Sequence, residues 1–237
     1  LLCIIINKRN FPETADIYFG EGKMKMRTLM LAAIVVAVFY CGCREGKKKA
    51  PVIPQTYECK YDDPANIDEN ILSVADSNNE FAVDLYAQLK SNAGNLFFSP
   101  ASISTALAMT YAGADGQTAT EMYDTLKFTL PEADLHENFG KLVEVLTTER
   151  ARTVLSIANS LWGQQGYSFL QGFLDLLNES YLAPMHEVDY IAAAEAARLE
   201  INAWIEEQTN GKIVDLLQPG TIDSLTRLVL TNAIYFK

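Results

Sequence analysis

The chain has 237 residues, 49% of them hydrophobic and 21% charged, with a formal net charge of −11. That is globular composition with enough apolar material for a core, in one or two domains. From Ala65 to Lys237, nine Lys and Arg stand against 23 Asp and Glu, a balance of −14. A surface that acidic repels nucleic-acid phosphate, so no nucleic-acid partner is expected. The cysteines are Cys3, Cys41, Cys43 and Cys59; none follows, which rules out a disulfide inside the main domain. No Cys/His cluster has zinc-ligand spacing, and His136 and His186 read as packing or surface residues, so neither metal nor cofactor is expected.

Residue 1 is Leu, which places the natural start at Met24 or Met26 and sets residues 1–22 aside as an upstream extension. Residues 23–43 read as a signal peptide. Lys23, Lys25 and Arg27 form a basic start, and Leu29 to Tyr40 is an apolar run of 12 residues. A membrane-spanning helix needs about 20 residues, whereas a signal-peptide core needs about 7–15. Cys41-Gly42-Cys43 resembles a bacterial lipobox with Cys43 as the lipidated residue, although Tyr40 stands where that motif usually has Leu. The alternative is an ordinary signal peptide cut nearby. Lipidation would give the domain a membrane partner and hold it outside the cytoplasm. Residues 44–64, with Lys47-Lys48-Lys49 and scattered prolines, read as a flexible tether.

The domain occupies residues 65–237. Phe81, Leu85, Tyr86 and Leu89 predict a helix from Ser77 to Leu89, capped by Ser77 or Asn78. Asn95 to Phe98 predicts a short strand. Ser99-Pro100 opens the next helix, with Ser99 as N-cap and Pro100 in the first turn. That helix, Ala101 to Ala112, is apolar almost all round and so belongs in the core. Its hydroxyls, Ser102, Ser104 and Thr105, then need hydrogen-bond partners from another element. Helices follow at Thr118 to Leu126 and from Pro131 to about Glu149. Val154 to Trp162 predicts a strand, Ser168 to Leu182 a helix, and Met185 to Ile191 a strand. Ala192 to Gln208 predicts a helix stopped by Asn210-Gly211, with Ile201, Trp204 and Ile205 on its apolar face. Leu228 to Phe236 is apolar on both faces, as in a covered central strand. With no βαβ rhythm and no repeat, the order predicts an α+β fold.

Three stretches resemble the serpin family. The first is Asn95-Leu96-Phe97-Phe98-Ser99-Pro100-Ala101-Ser102-Ile103-Ser104-Thr105-Ala106-Leu107-Ala108-Met109, followed by Gly113-Ala114 and Gln117-Thr118. The second is Ile201-Asn202-Ala203-Trp204-Ile205 with Thr209-Asn210-Gly211-Lys212-Ile213 and Leu216-Leu217. The third is Leu230-Thr231-Asn232-Ala233-Ile234-Tyr235-Phe236-Lys237. The resemblance covers about Asp68 to Lys237. It implies helices on a large, mainly antiparallel sheet. It also implies a suicide-substrate inhibitor: a reactive loop is cleaved by a serine or cysteine protease, then inserts into the sheet and traps the acyl-enzyme. Ser99, Ser102 and Asn232 match the family's shutter residues. The family's shutter histidine and reactive loop lie beyond Lys237, so no reactive bond is expected in this chain. The strand ending at Lys237 is the one beside which the loop would enter, and it is expected to end in an unpaired, aggregation-prone edge.

An enzyme is not expected. Triad chemistry needs a base oriented on a nucleophile, and neither histidine lies in such a motif. Gly20-Glu21-Gly22 lacks the Lys-Ser/Thr of a phosphate loop. Asn178-Glu179-Ser180 matches a glycosylation sequon but sits in a predicted helix. Two readings remain: a protease inhibitor, or a non-inhibitory serpin-like surface binding protein. The hinge before the reactive loop would separate them.

Overall fold

A computed structural model describes residues 2–7, 16–19, 22–25, 67–91, 94–147 and 155–236. The first three segments are the strands β1 (Leu2–Asn7), β2 (Asp16–Phe19) and β3 (Gly22–Lys25). The signal-peptide core, Cys43 and the tether fall outside the described residues. No helix among the described residues is long and apolar enough to cross a membrane.

Helix α1 runs from Glu69 to Leu89, eight residues earlier than the predicted start. Asp68 caps it, its carboxylate accepting from the Asn70 amide at 2.8 Å. Ser77, the expected cap, lies inside the helix. Its hydroxyl donates to the Ser73 carbonyl at 2.8 Å, so a residue type that favours helix starts is satisfied within the ladder. Ile71, Val74, Phe81, Leu85 and Leu89 form the buried stripe.

Asn95 to Phe98 forms no strand. Phe97 is 77% exposed, while Leu96 and Phe98 pack against the core. Helix α2 (Pro100–Tyr111) follows, buried on nearly every side. Next come α3 (Gly116–Thr125), capped by Asp115, and α4 (Glu132–Thr147). Strand β4 (Leu155–Gln164) leads into α5 (Gln171–Tyr181) and then β5 (Met185–Val188). The sequence extends β5 to Ile191. Instead Asp189 ends the strand by capping α6 (Tyr190–Gln208), its carboxylate accepting from the Ile191 and Ala192 amides. Asn210 and Gly211 both have positive φ and stop α6 as expected.

The last strand, β6 (Thr226–Phe236), lies inside a six-stranded sheet of order β3-β2-β1-β6-β4-β5. Every pairing is antiparallel except β4 with β5. That parallel pair makes β4-α5-β5 a βαβ unit, which periodicity does not reveal in so short a β5. Residues 1–22, which the sequence reading leaves outside the fold, supply β1 and β2. Pairing of β1 with β6 also corrects the expectation of an unpaired edge in part: residues Leu228 to Asn232 are paired on both sides, Thr226 with β1 alone, and Ala233 to Phe236 with β4 alone.

The sheet separates two cores. Leu161, Leu228 and Leu230 face α1, α2, α4 and α5, together with Met109, Phe139, Leu177 and Tyr181. Trp162 and Val229 face the other way, onto Ile201 and Ile205 of α6 and Leu217 beyond it. The loop after α6 is held by Asn202, whose side-chain amide exchanges two hydrogen bonds of 2.9 Å with the backbone of Leu217. Arg198 also donates to the Leu217 carbonyl, at 2.6 Å.

Helices α4 and α5 meet at Gly140, where a Cβ would lie 2.5 Å from the Ser180 carbonyl oxygen. Gly140→Ala is expected to destabilise the domain by about 1–3 kcal/mol in denaturant melts, despite alanine's better helix propensity. Gly172→Ala in α5, with nothing within 4 Å, is the control. It is expected to be neutral or stabilising by up to about 1 kcal/mol.

Candidate functional site

The three shutter residues expected from the sequence take different roles. Ser99, itself extended, precedes α2, and its hydroxyl accepts from the Ser102 amide at 3.3 Å. It is a cap, which leaves Ser102 free to point at the sheet. Ser102 donates to the side-chain carbonyl oxygen of Asn232 on β6. Both residues are buried. Register explains the match: Leu228, Leu230 and Asn232 alternate onto the helical face, so Asn232 presents its amide to α2.

The link continues through residues that the sequence reading does not single out. Asn232 pairs directly with Asn159 across β6 and β4, and its amide nitrogen donates to the Asn159 side-chain oxygen at 2.7 Å. Asn159 in turn donates to the Tyr181 carbonyl at 2.8 Å, at the end of α5. The Tyr181 hydroxyl meets His136 Nδ1 of α4 at 2.7 Å. One chain of polar contacts thus joins α2, β6, β4, α5 and α4. Asn159 carries a faint signal, an amide on the apolar face of a strand otherwise bearing Leu155, Ile157 and Leu161. The part played by His136 and Tyr181 carries none, because it depends on a helix crossing.

A buried polar link stabilises only when each member is satisfied, since an orphaned group costs about 1–3 kcal/mol. Between Ser102 and Asn159 that condition is met. At its outer end it lapses: His136 Nε2 is buried without a partner among the described residues, and so is the Ser104 hydroxyl. Burial lowers the His136 pKa from 6.5 to about 4 and pushes the Tyr181 phenol well above its ordinary value.

The unfolded chain therefore takes up a proton on His136 near pH 6.5, and the folded chain only near pH 4. Stability from this group is complete above pH 6.5 and falls as the pH drops toward 4. The expected loss is about 3 kcal/mol across that window. Chemical denaturation of wild type and His136→Phe between pH 7.5 and 4 checks this: the stability of wild type relative to the variant should fall toward acid pH by about 3 kcal/mol. Parallel curves would overturn it.

On the opposite face, Thr231 donates to the Ser160 carbonyl at 3.3 Å and accepts from Trp162 Nε1 at 3.4 Å. Trp162 is wedged between the rings of His186, stacked at 4.5 Å, and Trp204, edge-on at 5.9 Å. The central strands are thus tied by polar side chains on both faces.

No group of three metal-ligating side chains occurs among the described residues. The histidines lie on opposite faces of the sheet, His136 in the helical layer and His186 against Trp162. Asn178 of the sequon lies within α5.

These features define an α+β domain in which a mainly antiparallel sheet is pinned, at its middle strands, to a buried helix through side-chain amides. A family model described as "Serpin (serine protease inhibitor)" matches residues 76–237, and the chain belongs to the serpin family. Serpin B6 of Macaca fascicularis is 44% identical over 167 residues, 69% of this chain and 44% of that protein. The leukocyte elastase inhibitor of Xenopus laevis is 47% identical over 160 residues, 66% of this chain and 42% of that protein. Among solved structures, emu ovalbumin superposes with a TM-score of 0.65 at 32% identity, over 69% of this chain and 46% of that one. Cleaved kallistatin complexed with heparin superposes at 0.64 with 29% identity, over 70% and 50%. The chain thus spans less than half the length of these curated relatives.

Proposed function

We propose that the protein inhibits a serine-type endopeptidase by the suicide-substrate route of its family, and is not itself an enzyme. The observation that carries this reading is the polar link from Ser102 through Asn232 to Asn159. It ties the buried helix to the two middle strands, β6 and β4, by directional contacts. Such a joint holds a sheet closed yet can exchange partners if a strand enters, which a purely apolar contact does less selectively. The 47% identity to a leukocyte elastase inhibitor favours a protease as the partner.

The test uses the chain continued to the full length of its relatives, with Cys43→Ser to keep it soluble. Mixed with an elastase-type serine protease, it should give a covalent complex that survives denaturing electrophoresis. Cleavage without a complex, or no cleavage, would favour the alternative, a non-inhibitory surface binding protein. We also propose that the domain is displayed outside the cytoplasm on a lipid at Cys43, on the strength of the basic start, the short apolar run and Cys41-Gly42-Cys43. Mass spectrometry of the membrane-extracted protein should find diacylglycerol on that thiol. An unmodified soluble form would overturn the anchor.

A further inference from the structure

Asn210-Gly211 is the one Asn-Gly pair in the sequence, and it sits where α6 stops. An asparagine followed by glycine is chemically reactive. The glycine amide nitrogen can attack the side-chain carbonyl carbon of the asparagine, and no Cβ on the glycine blocks the approach. Both residues are exposed, so water and hydroxide reach the pair. Both also have positive φ, 51° and 70°. The turn they form is closely tied. The Gly211 amide donates to the Glu206 carbonyl at 2.8 Å, the Asn210 amide to the Glu207 carbonyl at 3.1 Å and the Lys212 amide to the Thr209 carbonyl at 3.0 Å. Thr209 is buried, and its hydroxyl donates to the Ile205 carbonyl at 2.8 Å while accepting from the Ile213 amide at 3.2 Å. The attacking nitrogen is therefore committed to α6 for as long as the turn is closed.

We propose that Asn210 is a self-modification site, gated by the C-terminal turn of α6. When the Gly211–Glu206 hydrogen bond opens, the Gly211 nitrogen loses its proton to solvent base and bonds to Asn210 Cγ. The Cγ–Nδ2 bond breaks, and Nδ2 leaves as ammonia after taking a proton from water. Water then opens one of the two C–N bonds of the cyclic imide. One opening gives an aspartate; the other gives an isoaspartate, whose main chain runs through the side-chain carboxyl carbon. Either product puts a negative charge at the end of a helix whose last turn holds Glu206 and Glu207 and no basic residue. The helix dipole disfavours that charge there. Isoaspartate also lengthens the backbone inside the turn, so the hydrogen bonds of residues 210–213 cannot all re-form. Ile213 and Leu216 pack on the α6-side core just beyond, and this part of the loop loosens. Leu217 stays held by Asn202 and Arg198. The product accumulates with the time the turn spends open.

Peptide mapping by mass spectrometry tests this on the full 237-residue chain, held at mildly alkaline pH in isotopically labelled water. Asn210 should convert ahead of every other asparagine, with label in the new carboxylate and isoaspartate among the products. In the urea-unfolded chain the conversion should run at least about tenfold faster, because no closed turn protects the nitrogen. Thr209→Val removes both hydroxyl bonds, leaves Asn210 and Gly211 unchanged, and should speed conversion in the folded chain at least about threefold. Asn210→Gly keeps the left-handed turn without the reacting amide; it should unfold as cooperatively as wild type and release no ammonia from this segment. In the converted protein, deuterium exchange should rise at residues 211–213 while Leu217 keeps its protection. No conversion at Asn210, or another asparagine reacting first, would overturn the site. Equal rates in the folded and unfolded chains, or an unchanged rate in folded Thr209→Val, would overturn the gate. Unchanged exchange at 211–213 after conversion would overturn the effect on the loop. The chemistry needs no protease, so a longer chain that fails to trap one would sink the inhibitor reading and leave this result standing.

Discussion

Asn232→Ala is expected to lower the stability of the domain by about 2–6 kcal/mol, among the largest effects available from one substitution. Truncation removes the acceptor of the Ser102 hydroxyl and the donor to the Asn159 side chain. Each orphaned group costs about 1–3 kcal/mol when water cannot reach it, and Ser102 and Asn159 are both buried. Since whole domains are stable by only about 5–15 kcal/mol, the variant should sit near the folding threshold. The measurement is urea denaturation of wild type, Asn232→Ala, Ser102→Ala and the double variant. If the link acts as a unit, the double variant should cost less than the sum of the singles by about 0.5–3 kcal/mol. A loss below about 1 kcal/mol for Asn232→Ala, or strict additivity, would show that the link carries little energy.

Trp162→Ala is expected to cost about 3–5 kcal/mol, for a different reason. The indole is 2% exposed and fills the space between β4 and α6, against His186 and Trp204. Its removal leaves a cavity in the middle of a sheet, where strands paired on both sides cannot collapse inward. Trp204 is the tryptophan the sequence selects as anchor, from its i, i+3, i+4 patch with Ile201 and Ile205. It does pack on this core, but only partly buried, edge-on to Trp162. Trp204→Ala should therefore cost clearly less than Trp162→Ala in the same guanidinium melts. The reverse order would mean that Trp204 is the true anchor of α6.

The difference between these tryptophans shows what was legible. Trp204 sits in a helical pattern that reports burial directly, through spacing. Trp162 ends a predicted strand whose alternation is clear but whose two faces look alike, because both are covered. Which face meets which layer depends on α6 crossing the sheet. The polar link divides in the same way. Ser102 was visible because a hydroxyl on an all-apolar helix requires a partner, and Asn232 because a familiar motif surrounds it. Asn159 lay two residues from a strand's apolar positions, with nothing local to mark its register against Asn232. His136 reads as an ordinary packing residue, and so it is, except that packing places Nδ1 on Tyr181 and strands Nε2.

By itself, the sequence determined the order of helices and strands from Pro100 onward, the burial of α2, the cap at Ser99, the left-handed stop at Asn210-Gly211 and the serpin resemblance. All of these are written in spacings of a few residues, where sterics and hydrogen bonding act locally. Only the tertiary structure decided that α1 begins at Glu69, because Ile71 and Val74 find a surface to cover. It also decided that β4 and β5 run parallel across α5, and that Asn95 to Phe98 joins no ladder. The same holds for the seating of residues 2–7 beside β6. Leu2 and Asn232 stand at opposite ends of the chain, and no local pattern can report a pairing whose energy comes from two cores assembled by everything between them.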